Sequence, residues 1–190
     1  QSLNGRWEYV VDAYSYLSGG KEKGISRGYA PRNKSERIEY GFTPLQTLNV
    51  PGDWNTQRDE LFFYEGTIWY KREFAAAPAA DRRMLLSFGA VSYEADVYLN
   101  GVLLGHHEGG FTPFAFECTK HLKEGKNILV VRTNNDRQAE RVPAMDFDWW
   151  NFGGITRDVM LVDVPATYMK DYSVQFAKNK LGGSLKGKKI

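Results

Sequence analysis

Short segments of two-residue alternation, cut apart by turn residues, set the strongest limit on how this chain folds. Residues 67–74 read TIWYKREF, with Ile68, Tyr70, Arg72 and Phe74 on one face and Thr67, Trp69, Lys71 and Glu73 on the other. That is the period of a strand rich in aromatic and β-branched residues. Residues 84–89, 95–100, 127–133 and 155–164 behave alike, bounded by Gly, Asn, Asp or Pro, and residues 3–11 add a first strand. Asn100-Gly101 supplies the positive φ angles of a type I′ turn, which predicts a hairpin between residues 95–99 and 102–104. Apolar residues at helical spacing are not sustained over three turns anywhere, and the best helical candidate is a single turn at residues 119–122. The sequence therefore predicts an all-β chain with very little helix: two packed antiparallel sheets, best described as an eight-stranded jelly-roll β-sandwich.

Composition supports a core and narrows the classes of function. The 190 residues are 42% hydrophobic and 25% charged, ordinary for a globular domain. The net charge of +2 is uneven: residues 165–190 carry six Lys and one Asp, so the rest of the chain is mildly acidic at −3. Basicity confined to one end is a poor footprint for nucleic acid, which needs Lys and Arg clustered on a folded surface. Nucleic-acid binding is therefore not expected. No apolar run approaches the roughly 20 residues of a membrane-spanning helix, and no membrane role is expected. One cysteine forbids an intrachain disulfide, and three scattered histidines make no metal-ligand set. Neither a metal nor a cofactor is expected. Cys118 shares a face with Phe114 and Phe116 and reads as a small buried hydrophobe rather than a nucleophile. His106 and His107 read as turn residues.

The two ends differ from the middle. Residues 18–39 are polar, Gly-rich and charged, as a long surface loop would be, and such loops are uncommon unless functional or mobile. Residues 171–176 (DYSVQF) alternate like an opening strand, but the Lys- and Gly-rich residues after them offer no strand to pair with it. The chain starts at Gln1 rather than Met, and both ends give the expectation of a piece cut from a longer protein.

Chemistry concentrates in one place. Five Trp, eleven Tyr and eleven Phe exceed what a sandwich core requires, and flat aromatic faces interleaved with Asp, Asn, Glu and Arg suit carbohydrate. The densest cluster is Asp146-Phe-Asp148-Trp149-Trp150-Asn151-Phe152-Gly-Gly154, just before the strand at 155–164. A Gly pair there lets the backbone turn sharply and presents the preceding side chains from a loop on a rigid scaffold. The plainer alternative is structural. Adjacent Trp149 and Trp150 point opposite ways in extended chain, so at least one would pack inward, and Asp146 and Asp148 would satisfy turn amides. Arg157 and Asp158 read as strand residues with cross-strand partners, and Glu94 and Asp96 as solvated.

Four ordered motifs carry a resemblance: VPGDW (50–54), YEGTIWYKREF (64–74), FGAVSYEADVYLNGVLLGHHEGGFTPFAF (88–116) and DWWNFGGITRDVML (148–161). Together they resemble the N-terminal sugar-binding domain of glycoside hydrolase family 2, which includes β-galactosidases, β-glucuronidases and β-mannosidases. The first two types are the more similar. The resemblance implies a galactose-binding-domain-like jelly roll over residues 1–165. It makes residues 166–190 a linker and the first strand of a truncated immunoglobulin-like β-sandwich. It also implies a (β/α)₈ barrel elsewhere, holding the acid/base and nucleophile that a retaining enzyme sets about 5 to 5.5 Å apart. No catalytic residue is then expected in this chain, and the chain alone is expected to be inactive. In the β-galactosidases and β-glucuronidases of this family, a loop of the jelly roll reaches into the barrel's active site, and an Asp just before the W/F-N/R-x-x-G-I-x-R segment contacts the bound sugar. Asp148 matches it, and Trp149, Trp150 and Asn151 share its loop. The turn bearing Glu65 resembles a second loop at the same site, where some β-galactosidases carry Asn. The expected function is one wall of the pocket of a retaining exo-β-glycosidase, with a terminal β-linked sugar and the barrel as partners. The alternatives are an autonomous carbohydrate-binding module, or a structural domain that forms a homo-oligomer through the 18–39 loop. A bacterial periplasmic or secreted location is favoured over the cytoplasm.

Overall fold

The computed structural model describes residues 1–17, 24–28, 41–79, 81–177 and 180–188. Eleven strands run along them in chain order: β1 (Gly5–Asp12), β2 (Thr47–Val50), β3 (Thr67–Ala76), β4 (Arg82–Phe88), β5 (Glu94–Leu99), β6 (Val102–Glu108), β7 (Phe114–Glu117), β8 (Gly125–Asn134), β9 (Val159–Pro165), β10 (Tyr168–Ala177) and β11 (Lys180–Lys188). A six-stranded sheet of order β2-β1-β3-β8-β5-β6 faces a three-stranded sheet of order β7-β4-β9, and β10 and β11 form a ribbon. Every strand pair is antiparallel. The all-β sandwich expected from the alternation is present, with nine strands rather than eight among the described residues. Helix is limited there to single 3₁₀ turns, one of them at Thr119–His121, where one turn was expected.

Alternation explains the inner faces. Trp7, Ile68, Tyr70, Val97, Leu129 and Val131 from the large sheet meet Leu86, Phe88, Val159 and Leu161 from the small one in a single buried cluster. Cys118 is buried at the same core, and its Sγ–H donates to the Met84 carbonyl at 3.3 Å. Burial pushes its thiol up to about 12, so it is an inert packing group.

Along β3 the alternation is incomplete as a guide. Thr67 to Lys71 are five consecutive buried residues. The outer face is covered by Leu17, Ile25 and Phe42, which pack on Val10, Trp69 and Val130 as a second, smaller core. Trp69 Nε1 donates to Asp12 Oδ2 at 3.2 Å, and buried Lys71 Nζ lies 3.3 Å from Glu8 and 3.6 Å from Glu73. Of the long polar loop expected at 18–39, only residues 24–28 are described. Its Ile25–Arg27 turn supplies Ile25 to this second core. The remainder lies outside the described residues, as does its reading as an oligomer interface.

The Asn100-Gly101 hairpin has the expected backbone, with φ of 52° and 85°, and Leu99 pairs with Val102. Three expectations fail. His106 and His107 sit in β6, not in a turn, because β6 runs four residues beyond Leu104. The last sandwich strand begins at Val159 rather than 155: residues 155–158 form a connection whose Ile155 carbonyl accepts from Gly52 N. Finally, the strand at 171–176 does have a pairing strand. Tyr168–Ala177 is matched over nearly its full length by Lys180–Lys188, despite the latter's Lys and Gly content.

Candidate functional site

Register decides which loops meet. Thr67, the first residue of β3, and Glu94, the first of β5, both face Asn134, the last of β8. The turn before β3, the β4–β5 and β6–β7 connections and the long β8–β9 connection therefore gather at one end of the sandwich.

Three asparagines lock this end together. Asn135 Oδ1 accepts from Gly66 N at 2.8 Å, and its Nδ2 donates to the Asn151 carbonyl at 2.9 Å. Asn151 Nδ2 returns a bond to the Asn135 carbonyl at 2.5 Å. Asn55 Nδ2 donates to the Leu61, Phe62 and Tyr64 carbonyls at 3.0 to 3.2 Å, and its Oδ1 accepts from Gly153 N at 3.0 Å. Side-chain amides are doing here what a strand ladder does elsewhere, satisfying buried backbone groups in irregular chain. Gly153 and Gly154 are required for a reason more specific than a sharp turn. A Cβ on Gly153 would stand 2.0 Å from the ring of buried Trp54, and one on Gly154, at φ 135°, 2.7 Å from the Gly52 carbonyl. Tyr64, on the neighbouring turn, donates to the Thr67 carbonyl at 2.9 Å. Burial, and then Asp12 and Asp136, push its hydroxyl up to about 12.

Two arginines hold the β8–β9 connection. Arg137 Nε donates to both Glu65 oxygens, at 2.9 and 3.2 Å, while Nη1 and Nη2 donate to the Phe147 and Trp149 carbonyls at 2.9 and 3.1 Å. The two carbonyls flank Asp148. Arg141, 7% exposed, pairs with Glu94, donates to the Asp136 carbonyl at 3.0 Å and lies 5.0 Å from the centre of the Tyr93 ring. Burial lowers its pKa. Glu94 and Asp96 are accordingly not solvated. Arg132 lies 3.5 Å from Glu94 and 2.9 Å from Asp96, and His106 Nδ1 is 2.7 Å from Asp96. The sheet's outer face carries this charge network where the sequence suggested plain solvent exposure.

The expected site residues take distinct places. Glu65, Trp150 and Asn151 line one cleft with Asn55, Phe62, Phe63 and Arg137, with a volume of about 140 Å³. Asp148 and Trp149 are absent from its lining and stand on the exposed crest beside it. Trp149 stacks on Phe147 with ring centres 4.9 Å apart and planes within 3°. The Asp148 carboxylate makes no hydrogen bond among the described residues, so it does not cap a turn. Neither tryptophan packs inward: Trp149 is 55% and Trp150 40% exposed. The loop is not extended chain, so neighbouring side chains need not fall on opposite faces. Glu65 is committed to Arg137. Arg157 and Asp158 lie before β9, and Asp158 accepts from Asn4 Nδ2 at 2.9 Å. Trp150 and Asn151 also border a second, larger cleft of about 400 Å³ on the side of Gly110, Phe111 and Arg157. Arg137 is the residue that sequence reasoning missed. Its signal was a lone Arg just past a strand end, with nothing local to show which loop it would hold.

Residues 1–165 match the family model described as "Glycosyl hydrolases family 2, sugar binding domain". A β-glucuronidase of Formosa agariphila is 41% identical over 67% of this chain and 15% of its own length. A β-galactosidase of Clostridium acetobutylicum is 36% identical over 98% of this chain and 22% of its own. Among solved structures, Bifidobacterium dentium β-glucuronidase complexed with coumarin-3-O-glucuronide superposes with a TM-score of 0.75 at 30% identity, covering 93% of this chain and 32% of that one. The chain thus spans only about a sixth of the length of the Formosa relatives it matches.

Proposed function

The chain belongs to the family 2 glycosyl hydrolases as their sugar-binding domain, and from that premise we propose that it forms one wall of the pocket of a retaining exo-β-glycosidase of β-glucuronidase or β-galactosidase type. The reading rests on Asp148. Its carboxylate is held on a crest by Arg137 through the two carbonyls beside it, is exposed, and is not consumed by any described group. An ionised carboxylate only accepts hydrogen bonds, and sugar hydroxyls donate them. Fixed in this way, it orients a terminal ring for chemistry performed by two carboxyl groups supplied from another part of the whole protein. The adjoining 140 Å³ cleft falls below the range of self-sufficient ligand sites, which favours half of a pocket over a complete one. By itself the domain supplies no acid/base pair and turns over no glycoside.

The test is substitution in the full-length protein. Asp148→Ala lowers kcat/KM on an aryl β-glycoside about a hundred-fold and leaves Tm in place, whereas unchanged kinetics would remove Asp148 from the site. One observation favours a second reading, an autonomous carbohydrate-binding module: Phe62, Phe63, Trp150 and Phe152 form an exposed aromatic cluster, with Trp150 4.8 Å from Phe62 and 5.5 Å from Phe63 between ring centres. Calorimetry of the isolated domain separates the two. Millimolar or weaker sugar binding fits a half-pocket, and micromolar binding fits a module.

A further inference from the structure

Two consecutive arginines open β4, and they reach in different directions. Arg82 faces Pro165 and stays within the small sheet, its Nε donating to Asp163 Oδ1 at 2.6 Å. Arg83 faces Val164, and its guanidinium reaches past the end of β9. Its Nε donates to the Ala166 carbonyl at 2.9 Å, while Nη1 donates to both Glu117 oxygens, at 2.9 and 3.0 Å. One side chain thereby ties the end of β7 and the start of β4 to the connection that leads into the β10–β11 ribbon. The Arg83 and Glu117 side chains are 11% and 28% exposed, against 36% and 50% for Arg82 and Asp163. Solvent and salt therefore screen the Arg83 pair less, and it holds its geometry more firmly than a surface pair does.

This clamp sits at the opposite end of the sandwich from Asp148. β4 and β9 are paired over seven residues, with Phe88↔Val159 at the end that carries the β8–β9 connection and Arg82↔Pro165 at the other. That length sets a lever of about 20 Å. A rotation of about 5° at the β9–β10 connection moves the crest by about 2 Å over such a lever, and a misplacement of about 1 Å at a substrate contact is enough to cost a hundred-fold in rate. Bracing by Arg137 fixes Asp148 within the sandwich, but it leaves the angle of the whole sandwich to be fixed elsewhere.

We propose that Arg83 is a positioning residue for the reaction: by clamping Ala166 and Glu117 it sets the angle between the sandwich and the ribbon, and through that angle it holds Asp148 in place against the substrate. The kinetic consequence rests on the pocket-wall reading, whereas the clamp rests on the Arg83 geometry alone.

The experiment is a double-substitution cycle in the full-length protein, read as kcat/KM on a p-nitrophenyl β-glycoside and joined to a distance measurement. Arg83→Lys keeps a cation opposite Glu117 and gives up the Ala166 bond, because one ammonium cannot serve both directions. It should leave Tm nearly in place and lower kcat/KM about ten-fold. In the Asp148→Ala background the same substitution should cost nothing further, since no carboxylate is left there to misplace. Spin labels on Tyr14→Cys, in the turn after β1 at the Asp148 end, and on Lys170→Cys, in the ribbon, report the angle directly. Both positions are exposed, and the native Cys118 is buried and takes no label. Their distance distribution should broaden in Arg83→Lys. Parent-like kinetics in Arg83→Lys, or an undiminished loss in the Asp148→Ala background, overturns the positioning role, and an unchanged distance distribution overturns the clamp. If Asp148→Ala itself keeps full activity while the distribution broadens, the pocket-wall reading fails, the kinetic half of the proposal falls with it, and the clamp stands.

Discussion

The β3–β8 ladder and the β8–β9 connection draw on the same residue types and use them in opposite ways. In the ladder, Trp69 and Tyr70 are 2% and 1% exposed, and ten consecutive residue pairs fix the backbone. In the connection, Trp149 and Trp150 face outward, and the backbone is fixed by asparagine amides and two guanidinium groups. Apolar burial makes the first region stable whatever its partners. Directional polar bonds let the second expose aromatic and acidic groups while keeping them in place, which a binding surface requires.

The difference can be attacked from either side. The largest effect is expected where the two regions touch. Trp54 is fully buried, donates to the Tyr64 carbonyl at 3.1 Å and lies under Gly153. Trp54→Ala should cost about 4 kcal/mol of folding stability in denaturant titration, and a cost below about 1 kcal/mol would mean that the loop end is not seated on the core. Next is Arg141→Ala. It leaves Glu94 in a mostly buried setting with only Arg132, 3.5 Å away, and should cost about 2 kcal/mol. A loss of that size from the ladder would instead require removal of an apolar side chain.

Arg137→Ala should leave Tm nearly unchanged and lower kcat/KM about ten-fold, because Asp148 loses its support without losing its charge. Arg137→Lys cannot reproduce three divergent donations and should recover little. Smallest is a pH effect in the ladder. Lys126, hydrogen-bonded to Glu73 at 2.8 Å, and then Lys71 hold the Glu73 carboxyl below its usual 4.5 against the opposing pull of burial. A depressed folded-state pKa contributes stability above the unfolded value that is lost as pH falls through the folded one. Glu73 is well exposed, so the contribution is under about 0.5 kcal/mol. Lys126→Ala should raise its NMR titration midpoint without altering sugar binding.

Much of the sandwich could be read from the chain, because alternation and turn chemistry are local. Asn100-Gly101 announces its hairpin from two residues, and residues 67–74 announce a strand. What alternation misses is a second layer: Leu17, Ile25 and Phe42 cover β3 from far away in sequence, so both of its faces are buried. β11 escaped for the opposite reason. Its sequence, KLGGSLKGK, lacks β-branched residues, and its strand state comes from pairing with β10. At the site, the Gly153-Gly154 signal was correct in kind, yet its cause, Trp54, lies 99 residues earlier and no local pattern reveals it. Inward packing of at least one of Trp149 and Trp150 follows only from an extended chain, and the chain here, with Arg137 bonded to the Phe147 and Trp149 carbonyls, takes another path. The proposal that Asp148 contacts the sugar rests on resemblance to a family motif, since spacing alone reads it as readily as a turn residue.

The most direct measurement pairs one substitution from each region in the full-length protein, reading Tm and kcat/KM together. Asp148→Ala should lower kcat/KM about a hundred-fold at constant Tm. Val130→Ala, in the outer core, should reduce stability by about 1.5 kcal/mol at constant kcat/KM. Full activity in the Asp148 variant, or equal kinetic losses in both, would contradict the claim that this domain meets the sugar through its polar-braced crest.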